Sequence, residues 1–204
     1  MLNNCIKHPC QEMKTSFKFS ILTILLLSLI SCKQKEKTND EKFFPVLSFI
    51  QSQVADIDTS LYSIRKLVYV DSLRTDTIYI HPEQFREAAK DFLSIPDLST
   101  AKYENRYTEE KQFDETLNRV VLTYTPLKPE KEEIQRQEVL IKPDPSGDKM
   151  TNIIINRVIN TKDSSVQKRL LWKVDESFQV ITIKQLKGQP ETTSTVKVVW
   201  GENQ

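Results

Sequence analysis

From Ile134 to Trp200 the chain repeats one pattern. Five apolar-rich runs of nine to twelve residues are separated by four short clusters of turn-forming residues. The runs are Ile134–Lys142, Lys149–Asn160, Ser165–Val174, Phe178–Leu186 and Thr192–Trp200. The separators are Pro143-Asp144-Pro145-Ser146-Gly147-Asp148, Thr161-Lys162-Asp163, Asp175-Glu176-Ser177 and Lys187-Gly188-Gln189-Pro190. Asp, Asn, Gly and Pro at these points supply the backbone angles a reversal needs. Connections this short exclude parallel neighbours, which need a crossover of a dozen or more residues, so the C-terminal third must be an antiparallel meander. Val166, Leu170, Trp172 and Val174 share one side of their run, and Gln167, Arg169 and Lys173 the other, with Leu171 the exception. Val196, Val198 and Trp200 likewise alternate with Thr195 and Lys197. One apolar face and one wet face are expected of such a sheet.

Upstream, the same two periods locate the cover. Phe43, Val46, Leu47, Ile50, Val54 and Ile57 recur at helical spacing behind Pro45, which suits a first helical turn. Leu61–Val70 and Thr77–Ile80 read as a hairpin turning at Ser72–Asp76. His81-Pro82-Glu83-Gln84 then opens a second helix, with Phe85, Ala88, Ala89, Phe92 and Leu93 on one face, ended by Ile95-Pro96. Lys102–Phe113 and Leu117–Thr125 form another hairpin around Asp114-Glu115. Residues 126–132, charged and marked by two prolines, are the one candidate for an internal boundary. The expected fold is therefore α+β: a single domain over 43–204, with about nine antiparallel strands packed against two amphipathic helices.

Composition closes several routes to function. Gly147, Gly188 and Gly201 are the three glycines of the chain, so glycine-rich phosphate cradles and dinucleotide fingerprints are excluded. Cys5, Cys10 and Cys32 are the three cysteines, all near the N-terminus, leaving the folded part without a disulfide, thiolate nucleophile or cysteine metal ligand. Residues 1–31 carry three lysines and one glutamate, so removing them takes the formal net charge from +1 to −1. A near-neutral chain offers no nucleic acid the concentrated basic surface it requires.

The N-terminus explains the removal. Lys14 and Lys18 flank the start of an apolar run that reaches Ile30, and Leu29-Ile30-Ser31-Cys32 gives way at once to Lys33-Gln34-Lys35-Glu36-Lys37. The run is too short to span a bilayer, which takes about 20 apolar residues, and its flanks suit a processed segment. This stretch resembles the signal peptide of a bacterial lipoprotein, with aliphatic Leu29, small Ser31 and then cysteine; Ile30 is a less usual choice at its position. The resemblance implies cleavage between Ser31 and Cys32, lipidation of Cys32 by acyl chains of the palmitate class, and a place in the cell envelope. Lys33 after the cysteine points to the outer membrane where the host has one. An uncleaved anchor and an ordinary secretory signal are the alternatives. Residues 1–12 suit no signal peptide and Met13-Lys14 would begin a conventional one, so Met13 is the expected start of translation. Residues 32–42 read as a polar tether.

Candidate chemistry in the folded part is thin. His81, the one histidine after residue 31, cannot build a multi-histidine metal site and suits a helix cap. Glu109-Glu110 and Asp114-Glu115 cluster near a hairpin tip, where charge is ordinarily solvated rather than set for acid–base work. Glu130-Lys131-Glu132-Glu133 reads as solvated connection. Ser164-Ser165 and Ser194 have no glycine elbow. Tyr62, Tyr69, Tyr79, Tyr103, Tyr107 and Tyr124 fall in expected strands; sharing a concave face with Trp172 or Trp200, several could line a hydrophobic or sugar-binding groove. The reading leans away from an enzyme, with no cofactor and no metal. It favours a lipid-anchored envelope protein that binds or scaffolds a protein or lipid partner. The alternative is a lipid or lipoprotein carrier whose sheet curls into a half-barrel. An unfilled apolar cavity would favour the carrier, and a filled core the binding module.

Overall fold

The computed structural model describes residues 43–70 and 74–201. Residues 1–42, with Met13, Ser31 and Cys32, lie outside them, as do 71–73 and 202–204. Among the described residues nine strands form one sheet, antiparallel at every pairing. They are β1 (Ile64–Tyr69), β2 (Thr75–Ile80), β3 (Tyr107–Asp114), β4 (Arg119–Pro126), β5 (Ile134–Lys142), β6 (Lys149–Asn160), β7 (Ser164–Lys173), β8 (Ser177–Leu186) and β9 (Thr192–Val199). The order across the sheet is β2-β1-β9-β8-β7-β6-β5-β4-β3. Seven strands thus run as a meander from β3 to β9, and the N-terminal hairpin returns to pair β1 with β9. The charged connection 127–133, which holds a short 3₁₀ turn at Pro129–Lys131, joins two neighbouring strands of this sheet.

Turn chemistry sets the meander. Asn118 and Asp175 adopt φ of 51° and 58° in the β3–β4 and β7–β8 reversals, a conformation that Asn and Asp tolerate better than most residues. Asp114 accepts a hydrogen bond from the Leu117 amide at 2.9 Å, closing the first of these. At the second, Gly201 passes so close to the Asp175 carbonyl that a Cβ would lie 1.8 Å from its oxygen. Only glycine fits there.

The helices cross one face of the sheet. α1 (Val46–Asp58) buries Val46, Ile50, Val54 and Ile57 at the spacing the sequence shows. The second helical stretch is broken rather than continuous. A 3₁₀ turn at Pro82–Gln84 leads into α2 (Phe85–Ala88) and then α3 (Lys90–Leu93). At the break Ala89 has φ −87° and ψ 5°, and the Phe92 amide reaches the Ala89 carbonyl in a tighter three-residue turn. Both Phe85 and Phe92 are buried there. His81 caps this stretch: its amide donates to Gln84 Oε1 at 3.1 Å while its carbonyl accepts from the Gln84 amide at 2.9 Å.

Three local expectations are corrected. Residues 102–106 are turns, not strand, because Asp97 captures the amide and hydroxyl of Ser99, and successive turn hydrogen bonds follow at Tyr103 and Arg106. Tyr103 and Tyr62 are therefore outside strands. The outer face of the sheet is mixed rather than wet: Leu67, Ile154, Leu171 and Ile181 are half-buried there beside Arg169, Gln179 and Lys197. Branched residues favour strands on either face.

Candidate functional site

Register lines the inner, helix-facing side of the sheet into rows. One row runs Ile78, Lys66, Val198, Phe178, Trp172, Ile153, Val139, Leu122, Lys111 from edge to edge. The next runs Asp76, Val68, Val196, Val180, Leu170, Ile155, Gln137, Tyr124, Glu109. Asp76, Glu109 and Lys111 belong to the two edge strands, where water reaches them. On the interior strands these rows hold one ionisable cation or acid, Lys66.

The middle of this face is filled. Trp172 and Phe178 stack with rings 5.5 Å apart. Phe92 meets Trp172 edge-on at 5.1 Å, and Phe85 meets Trp200 at 4.9 Å. Such geometries add to the area each ring buries. Toward β3, Tyr103 and Tyr107 pack at 6.0 Å and Phe43 lies against Tyr124 at 5.3 Å. The Tyr107 hydroxyl donates to the Ile134 carbonyl at 3.0 Å, and Tyr124 Oη accepts from the Phe44 amide at 3.2 Å. Burial pushes both phenols well above the ordinary tyrosine range, Tyr107 further through Glu132 and Tyr124 through Glu109, so both stay neutral. The open aromatic groove expected of the tyrosines does not form. Tyr103, Tyr107 and Tyr124 are core, whereas Tyr62, Tyr69 and Tyr79 are exposed.

The flank of the same face is different. Between α2–α3 and strands β1, β2, β8 and β9 lies an open groove of about 530 Å³, inside the roughly 300–1,000 Å³ range of small-molecule sites. Its floor is Ile80, Ala88, Phe178, Val180 and Val196, and the groups around it include Lys66, Glu83, Glu87, Lys90 and Asp91. Two of the acids on the helical wall are paired. Glu87 holds Lys90 at 2.6 Å, raising the lysine above its usual range through that hydrogen bond. Asp91 receives Lys168 from β7. On β6, Arg157 pairs with Glu133 of the 127–133 connection at 2.7 Å and donates to the Ser94 hydroxyl, just past α3, at 3.0 Å.

Three basic side chains thus project inward from the middle of interior strands, Lys66, Arg157 and Lys168. Arg157 and Lys168 fasten the helical layer to the sheet, and Lys66 has no acid or hydrogen-bond partner among the described residues. It is half-buried between Ile78 and Val198. The sequence held one signal for it: Lys66 shares the parity of Ile64 and Val68, a cation on an otherwise apolar strand face. No neighbouring period marked it as unusual.

The other sequence candidates do not converge. His81 is an exposed cap, Glu109 and Glu110 point to opposite faces of edge strand β3, and Asp114 and Glu115 occupy the β3–β4 turn. Ser164 bonds within its own turn to Thr161, Ser165 bonds to Asn160, and Ser194 lines the groove. Glu130 and Lys131 lie in the 127–133 connection, where Glu132 and Glu133 pair with Arg106 and Arg157. No group of three or more His, Cys, Asp or Glu side chains suited to a metal ion occurs among the described residues. No described helix is long and apolar enough to cross a membrane. No family model, curated protein sequence or solved structure matches this chain.

Proposed function

We propose that residues 43–204 form a non-catalytic binding module, held to the cell envelope through lipidated Cys32, that takes its ligand in the groove beside α2 and α3. The observation that carries this reading is the incomplete cover of the sheet. The helices bury the centre of the inner face, yet leave Val196 and Ile80 half-exposed on the floor of an open, concave groove. Apolar surface left in a concavity with a few polar groups around it is the usual form of a binding site. A half-barrel enclosing several acyl chains finds less support, because the aromatic cluster and the helices occupy the space it would need.

The test uses the intact lipoprotein in its own envelope, with a photo-crosslinking side chain at Val196 and, for comparison, at Gln112 on edge strand β3. Adducts formed from Val196 well above those from Gln112 support the groove; equal labelling at the two positions rejects it. The anchor is tested separately. Two or more acyl chains give stable attachment where one does not, so Cys32→Ala is expected to leave the membrane fraction with the domain's melting temperature unchanged. A variant that stays in the membrane fraction would remove Cys32 from its assigned role.

A further inference from the structure

We infer that the groove takes a single-chain amphiphile with one negative charge, of the long-chain carboxylate class, seated with its carboxylate on Lys66 and its chain on the apolar floor. This rests on the groove being the recognition site and assigns the chemistry of what enters it.

Charge complementarity selects the headgroup. A cation moved toward an apolar surface loses hydration, and the loss is offset only by a partner. Lys66 stands in a row whose neighbours are Ile78 and Val198, half-buried, with no partner among the described residues. Helix-side acids could have supplied one. Glu87 and Asp91 are instead committed to Lys90 and Lys168. Glu83 also lines the groove, exposed at its rim and without an ion pair. That acid sets the charge limit: one carboxylate is matched by Lys66, whereas a doubly charged phosphate monoester would carry an excess negative charge toward Glu83, Glu87 and Asp91. Lys66 brings one compact ammonium, which balances a single negative charge. Ile80, Phe178, Val180 and Val196 offer the remainder of the ligand an apolar floor, with the hydroxyl residues Thr182 and Ser194 beside it. The size of the groove fits one chain rather than a two-chain phospholipid.

The experiment uses the full lipoprotein reconstituted in phosphatidylcholine vesicles and labelled with a photoactivatable palmitic acid. Competitors are palmitate and the uncharged 1-hexadecanol, and adducts are mapped by mass spectrometry. The expected result is labelling of β8, β9 and the 80–91 segment, displaced by palmitate much better than by hexadecanol. A charge-assisted hydrogen bond predicts that Lys66→Met weakens palmitate competition at least about tenfold. Hexadecanol competition should stay unchanged and Lys66→Arg should keep most of the preference. If palmitate and hexadecanol compete equally, or Lys66→Met leaves palmitate unaffected, the carboxylate assignment falls while the groove stands. If the fatty acid labels elsewhere but the crosslinker at Val196 captures a protein, the occupant is a polypeptide and this inference is wrong. If neither probe reaches the groove, both readings fall together.

Discussion

The covered centre and the open flank belong to one continuous sheet face, yet they serve different ends. Over Trp172, Leu170 and Ile155 the helices close down, and every large side chain there is fully buried. Over Val68, Val196 and Ser194, on β1 and β9, the side chains stay partly or fully open to water, although the two-residue alternation is the same. Beside the groove an ion pair joins the two layers, Lys168 of β7 with Asp91 of α3. A cation with an acid above it pins the helical layer, and a cation without one leaves the sheet open. Lys66 differs from Lys168 in what faces it, not in what it is.

The largest expected effect is at the covered centre. Trp172→Ala removes the ring that touches Phe85, Phe92, Phe178 and Trp200. It should cost about 3–5 kcal/mol, lowering the melting temperature by roughly 6–20 °C for a domain of this size. Val196→Ala, one row away on the open flank, should cost about 1 kcal/mol or less because its methyls are already half in water. Equal losses at the two sites, read from urea midpoints, would erase the distinction between centre and flank.

Next comes the ion pair beside the groove. Lys168 and Asp91 side chains are 20% and 24% exposed, so removing the acid strands a mostly buried ammonium. Asp91→Asn should cost about 1.5 kcal/mol and speed amide exchange along 85–93. Exchange unchanged in that segment would mean that the pair does not hold the layer down.

A smaller effect of opposite sign is expected inside the covered region. Gln137 is 1% exposed, and neither its amide nitrogen nor its carbonyl oxygen has a hydrogen-bond partner among the described residues. An unpaired buried polar group costs about 1–3 kcal/mol, and an apolar group of the same shape escapes that cost. Gln137→Met should therefore stabilise by about 1 kcal/mol, with a higher urea midpoint and an unchanged slope. A loss of stability would show that the amide is satisfied in solution.

The smallest expected effect is Lys66→Met. Lys66 contributes no ion pair, so stability should shift by less than about 0.5 kcal/mol while anion preference is lost. A stability loss as large as that of Asp91→Asn would mark Lys66 as part of the fastening rather than of a site.

How much of this was legible depends on which residues speak for themselves. The meander was readable because its turns are local. Ile134–Lys142 and Lys149–Asn160 are strands over the spans the sequence shows, β8 and β9 differ by one residue at one end, and β7 by one residue at each end. The 102–106 segment was misread because Tyr103 suits a strand by type, whereas the competing Asp97 side-chain bonds depend on three-dimensional placement. The site was less legible still. Alternation could place Lys66 on a face, but not say what would lie above it.

The sequence by itself determined the strands, their reversals, the apolar stripes of the helices and the absence of cysteine chemistry from the folded part. Each depends on neighbours within a few residues, where backbone geometry and side-chain period are decided. Only the tertiary structure decided that β1 pairs with β9, bringing Lys66 beside Val198, and that Asp91 reaches Lys168 while no acid reaches Lys66. Those pairings join residues far apart in the chain, and no local period encodes them. They follow from which apolar faces could be buried together, and the groove is what that burial left uncovered.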